Sequence, residues 1–178
     1  MRAWRIITGG LVALALLAAP ASVPAQTPEF VIKAAYLYKF APFVDWPSYA
    51  FVNASSPFRL CILGPDPFGA ALDEAVRGHD IDSHPIEIRR LSSLDGAQSC
   101  QILYFGGRST TFADAFHRLR GAPVLTVSDE GDGVSGGVIQ FVNRAGHVRF
   151  TIDAGAAAAN RVRISSKLMS LAVRESGL

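Results

Sequence analysis

The chain has 178 residues, with 17 basic side chains against 15 acidic ones, and 49% of it is apolar. That composition excludes a disordered or low-complexity polypeptide, and the length suits one hydrophobic core. The small positive balance is concentrated at the N-terminus. Arg2 and Arg5 precede the apolar run Ile6–Ala19, then come Pro20 and the small-residue stretch ending Val23-Pro24-Ala25, and no acidic residue precedes Glu29. Basic start, apolar middle and small-residue end read as a cleavable secretory signal over residues 1–25. The apolar run is shorter than the ~20 residues that span a bilayer core, so the domain is not expected to be membrane-embedded. No Cys lies near the cut, which argues against a lipid anchor. Without Arg2 and Arg5 the 17 basic residues fall level with the 15 acidic ones. Such a domain lacks the charge footprint of a nucleic-acid binder. Residues 26–178 are expected to form a single exported domain.

In chain order, residues 29–44 carry apolar side chains at helical spacing, with Phe30, Ala34, Leu37, Phe40 (or Ala41) and Val44 along one stripe. Pro28 suits the first helical turn, and Pro42 is expected to bend or end the helix. Phe58–Gly64 reads as a buried strand, Phe68–Val76 as a helix closed by Arg77-Gly78, and Ile86–Leu91 as an alternating strand. Gln101–Phe105 is a further buried strand. Thr111–Leu119 is a helix that Ser109, Thr110 or Thr111 would cap, and Pro123–Ser128 is the next strand. The alternation of strands and helices implies a largely parallel sheet. The pattern then changes to a hairpin, Gly137–Val142 and His147–Asp153 around the loop Asn143–Gly146. Ala154–Asn160 is helix-prone, and Ser165 or Ser166 would cap a last helix through Val173. The fold expected is a single α/β domain, a largely parallel sheet flanked by helices with an antiparallel C-terminal hairpin.

Cys61 and Cys100 make an even count, which in an exported chain reads as a disulfide; two separately buried thiols are the alternative. A bridge of that span would contribute roughly 4 kcal/mol in the chain-entropy description. Gly64-Pro65-Asp66-Pro67-Phe68-Gly69 lies between a strand and a helix but lacks the glycine spacing of a dinucleotide loop, so it reads as a tight turn. Gly106-Gly107-Arg108-Ser109-Thr110 follows the third strand, where donors, hydroxyls and a guanidinium can converge on an anion, and it is the candidate small-ligand site. Asp129-Glu130-Gly131-Asp132-Gly133 misses the alternation of a calcium loop and reads as solvated. His79, His84, His117 and His147 fall on different elements. Ser165-Ser166-Lys167 lacks the spacing that would place Ser and Lys on one helix face. No catalytic residue, metal site or cofactor is expected, and a binding role is.

Seven segments in register resemble the YfiR-like family, DUF4154. They are Lys33-Ala-Ala-Tyr-Leu-Tyr-Lys-Phe-Ala-Pro-Phe-Val-Asp-Trp-Pro47, Cys61-Ile-Leu-Gly-Pro-Asp-Pro-Phe-Gly69 and Cys100-Gln-Ile-Leu-Tyr-Phe105. Pro123-Val-Leu-Thr-Val-Ser-Asp129, Gly136-Gly-Val-Ile-Gln-Phe-Val142, Val148-Arg-Phe-Thr-Ile152 and Ile164-Ser-Ser-Lys-Leu168 complete the series. The resemblance implies a periplasmic regulator, a homodimer that binds the periplasmic sensor region of an inner-membrane diguanylate cyclase. By holding the cyclase inactive it would limit cyclic-di-GMP and biofilm formation. Release would involve an outer-membrane lipoprotein and the redox state of the cysteines. Cys61 and Cys100 match one family disulfide, whereas Gly136–Val142 lacks the second pair found in the best-known members. Binding surfaces favour aromatic and apolar anchors, which makes Tyr36, Phe43, Trp46, Phe51 and Leu168 the partner-binding candidates. A second reading is a small-ligand sensor feeding a kinase or other signalling protein through the Gly106–Thr110 turn.

Overall fold

Pro28 occupies the first turn of α1 (Pro28–Phe40), where its missing N–H costs nothing. The helix stops at Phe40, because Pro42 cannot continue the hydrogen-bond ladder, and Ala41–Phe43 tighten into a 3₁₀ turn. This computed structural model describes residues 28–108 and 112–174. The expected signal segment over residues 1–25, together with Ser109, Thr110 and Thr111, lies outside the described residues.

The chain then forms β1 (Val44–Asp45), β2 (Phe58–Leu63), α2 (Ala70–Val76), β3 (Asp80–Ile81), β4 (His84–Leu91) and β5 (Ile102–Phe105). It continues through α3 (Phe112–Arg118), β6 (Leu125–Asp129), β7 (Ile139–Arg144), β8 (His147–Ile152), α4 (Ala154–Ala159), β9 (Arg163–Ile164) and α5 (Ser166–Leu171). Seven strands make one sheet in the order β3-β4-β2-β5-β6-β7-β8, and β1 pairs with β9 in a separate two-stranded ribbon. The pairs β4–β2, β2–β5, β5–β6 and β6–β7 are parallel; β3–β4 and β7–β8 are antiparallel hairpins. The mixed α/β domain expected from the alternation is therefore the observed one.

Strand side chains alternate between two cores. Leu60, Ile62, Ile102, Tyr104, Leu125 and Val127 face the layer that includes α1 and α2. Cys61, Leu63, Leu103 and Phe105 face α3 with Phe112, Ala115 and Leu119. Burial on both sides explains why the central strands read as continuous apolar runs.

Three local expectations are revised. The hairpin strands extend to Arg144 and His147, which leaves a two-residue turn at Ala145-Gly146 in place of the four-residue loop. Positive φ at both positions, 53° and 78°, gives the turn that matches strand twist. Strand β3 and the start of β4 form a second hairpin about Asp82-Ser83, also at positive φ. Pro85 stands opposite Asp80, beyond the closing pair, where the hairpin ladder needs no N–H from it. Helix α2 begins at Ala70 because the Asp66 carboxylate accepts the Phe68 and Gly69 N–H groups and holds them in a turn.

Candidate functional site

The strand order defines where a site can sit. From β2 the chain crosses to β4 on one side, then returns past β2 to β5 on the other. The C-terminal ends of β2 and β5 therefore flank the point where the winding reverses, the usual binding crevice of open α/β sheets. The two turns leaving these strands are Gly64-Pro65 and Gly106-Gly107. They press on each other: a Cβ on Gly106 would lie 1.9 Å from the Pro65 carbonyl oxygen, and one on Gly64 would lie 2.8 Å from that of Gly106. The crevice directly between the strands is filled by backbone.

Two of the backbone donors expected to cradle an anion are already engaged. Gly106 N–H bonds the Leu63 carbonyl at 2.9 Å, and Gly107 N–H bonds Asp132 Oδ2 at 3.2 Å. Arg108 alone among the described members of that turn offers a cationic side chain, and it lines a cleft of about 650 Å³. This cleft opens on the α3 side, between the β4–β5 connection and α3. Leu63, Leu94, Phe112 and Ala115 supply apolar wall, with Arg108, His117 and Arg118 around it.

On the opposite side of the sheet ends lies a polar cluster that the motif reading missed. Lys33 is 3% exposed, yet its Nζ contacts Glu29 Oε1 at 2.5 Å and bonds Asp129 Oδ2. The other Asp129 oxygen accepts Gly131 N–H at 2.9 Å. Burial alone would lower the Lys33 pKa, but its hydrogen bonds to Asp129 and Glu29, with their charges, hold it above the usual lysine value. Tyr104 Oη stands 3.4 Å from Asp132 Oδ2. Burial pushes that phenol far up, and the Asp129 and Asp132 charges add to the shift. The acidic segment expected to be solvated is thus split. Asp129 is 3% exposed and paired, Asp132 is half-buried, and Glu130 stays outside, bonded to Arg144. The Glu29–Lys33 spacing of four was the available signal for the helical half of this cluster.

The aromatic candidates are distributed over three places. Tyr36 packs on Phe40, Phe141 and Phe150, so it joins α1 to the β7–β8 hairpin. Trp46 meets Phe58 edge-on and its Nε1 donates to the Gln101 carbonyl at 3.3 Å. Phe51 stacks on His84, whose Nδ1 is 2.6 Å from the Ser56 carbonyl oxygen. Phe43 is half-buried beneath Lys167, and Leu168 is 2% exposed within the main core. The large apolar side chains that do reach the surface are their neighbours: Val31 and Ile32 on α1, Tyr49 and Val52 on the following loop, and Met169 and Leu171 on α5.

Cys61 and Cys100 form a disulfide with Cα atoms 6.0 Å apart. It staples β2 to the turn that opens β5.

The DUF4154 family, described as YfiR/HmsC-like, matches residues 30–173. The chain belongs to this family. The match takes in every element described above except the first two residues of α1, and stops one residue short of the last described one. YfiR-like proteins are periplasmic and regulatory rather than catalytic, so the YfiR-like domain described here is read through its surfaces and clefts. No curated protein matches the chain. Among the described residues, no helix is long and apolar enough to cross a membrane.

Proposed function

We propose that this chain is exported through a signal peptide at residues 1–25 and acts in the periplasm as an inhibitory binding protein. Its target is the periplasmic sensor region of an inner-membrane diguanylate cyclase, and binding lowers cyclic-di-GMP output and biofilm formation. The observation that carries this reading is the YfiR/HmsC-like match across residues 30–173, which spans nearly the whole folded domain. Inhibition by binding requires exposed apolar anchors, and Val31, Ile32, Tyr49, Val52, Met169 and Leu171 supply them beside the half-buried aromatics Tyr36, Phe43, Trp46 and Phe51. A homodimer and an outer-membrane lipoprotein partner that relieves inhibition complete the proposal.

Deleting the gene should raise cyclic-di-GMP and surface attachment, and the tagged mature chain should retain a membrane cyclase from solubilised membranes. Unchanged cyclic-di-GMP in the deletion strain, together with capture of a sensor kinase instead, would replace this reading with a kinase-linked one.

A further inference from the structure

We propose that the cleft on the α3 side of the sheet binds a small organic carboxylate with an apolar body. The cleft encloses about 650 Å³, within the range that holds metabolite-sized ligands. It lies at the C-terminal end of β2, beside the point where the strand order reverses, so the fold itself leaves a concavity there. Its lining has two chemically distinct parts. Leu63, Phe112 and Ala115 are buried members of the α3-side core, and Leu94 packs against that core. They give the cleft an apolar floor. The exposed part of the lining holds Arg108, His117 and Arg118 against one carboxylate residue, Asp114.

Among the described residues, Arg108 and Arg118 carry no ion pair. The ion pairs among the described residues engage Arg59, Arg77, Arg90, Arg144 and Arg163 but neither Arg108 nor Arg118. Asp114 and Arg118 stand one helical turn apart on α3, the spacing of a favourable pair, and still do not pair. A guanidinium takes a carboxylate through two parallel hydrogen bonds. The apolar floor then selects ligands that carry a ring or branched chain behind the anionic group. The Gly106 and Gly107 N–H groups are spent inside the protein. Recognition therefore rests on the arginines. The proposal is independent of the cyclase reading, because the cleft lies on the α3 side of the sheet, away from the layer that includes α1, and it is tested on the purified chain alone.

The probes are 2-naphthoate and its neutral analogue 2-naphthamide, titrated into the isotope-labelled, disulfide-intact chain and followed by amide NMR shifts. Naphthoate should move the amides of Leu94, Phe112 and Ala115, with naphthamide at least about tenfold weaker, the value of a charge-assisted hydrogen bond. Arg118→Gln and Arg108→Gln should each weaken naphthoate about tenfold, while Arg163→Gln, away from the cleft, leaves it unchanged. Phenyl phosphate serves as the third probe. Equal or tighter binding than naphthoate would change the ligand class from carboxylate to phosphate and overturn the proposal as stated. Shifts outside the cleft, equal affinity for the amide, or indifference to both arginine substitutions would also overturn it.

Discussion

Lys33 is held in a protein interior by two carboxylates of unequal standing. Asp129 is almost fully buried, whereas Glu29 is 42% exposed at its side chain and contributes through a solvent-screened contact. Removing the ammonium therefore strands Asp129 above all. Lys33→Met is expected to cost about 3 kcal/mol, the usual result of leaving one member of a buried pair uncompensated. The double variant Lys33→Met/Asp129→Leu should recover most of that loss, less the roughly 1 kcal/mol of the turn bond that Asp129 accepts from Gly131 N–H. Urea denaturation of the three proteins checks this; equal losses in single and double variants would show that the pair is not the source. The same residues set an alkaline limit. Lys33 is raised from 10.5 and Tyr104 from 10.0, so the unfolded chain releases both protons first as pH rises. The contribution is complete below about pH 10 and falls as pH climbs above it, because the folded state then binds more protons than the unfolded one. Tyr104→Phe should flatten that decline, measured as the change in urea midpoint between about pH 8 and pH 11.

At the scale of the elements, the turns after β2 and β5 press backbone on backbone at Gly64 and Gly106. Gly106 has no room for a methyl group, since the Pro65 carbonyl oxygen occupies its place, and neither turn can retreat without breaking the Gly64–Leu91 and Gly106–Leu63 backbone bonds. Gly106→Ala should destabilise by about 3 kcal/mol or more through overpacking. Gly78→Ala meets open space and bears only the cost of its left-handed backbone, roughly 1 kcal/mol. Thermal midpoints of the two variants separate the causes, and equal shifts would mean that the turn contact yields easily. The strands bearing these turns were legible because burial on both faces leaves continuous apolar runs. The helix end at Pro42 was legible because proline chemistry is local. What escaped was non-local or weakly marked. The β3–β4 hairpin turns on Asp82-Ser83, which lacks the glycine that advertises such turns. The parallel β6–β7 pair is joined through the 3₁₀ turn Glu130–Asp132 without a helix, contrary to the common crossover. The Gly106–Thr110 turn follows its strand as the sequence predicts, but Asp132, distant in sequence, takes one of the amide donors that the motif offers to an anion. The Lys33–Asp129 pair joins a helix to a strand end at a sequence separation of 96, over which spacing carries no signal.

Across the whole molecule, the disulfide decides how the domain can respond to redox conditions. Cys61 is 0% exposed and Cys100 is 1% exposed, enclosed with Leu63, Leu103, Phe105 and Phe112 in the α3-side core. Cys61 lies on a central strand that pairs with β4 on one side and β5 on the other, so no loop motion uncovers its sulfur. Thiol–disulfide exchange requires a thiolate to reach a sulfur atom along the bond axis, and here that requires separating the centre of the sheet or unseating the turn that buries Cys100 in the same core. Reduction is therefore expected to proceed through global opening. Its rate in dithiothreitol should rise with urea along the same slope as global unfolding, and should be negligible in native buffer over the time an exposed bridge is cleaved. Once cut, the chain loses the constraint on a 39-residue separation, about 4 kcal/mol, and Cys61→Ala/Cys100→Ala should show a deficit of that order. Rapid reduction in native buffer, or a reduced chain as stable as the oxidised one, would contradict this account. A loss of that size is comparable to the whole stability margin of many domains. Redox conditions acting at this pair would then set how much folded regulator exists, rather than tune the affinity of a folded one. That separates the bridge from the α3-side cleft, where a ligand can bind the intact domain.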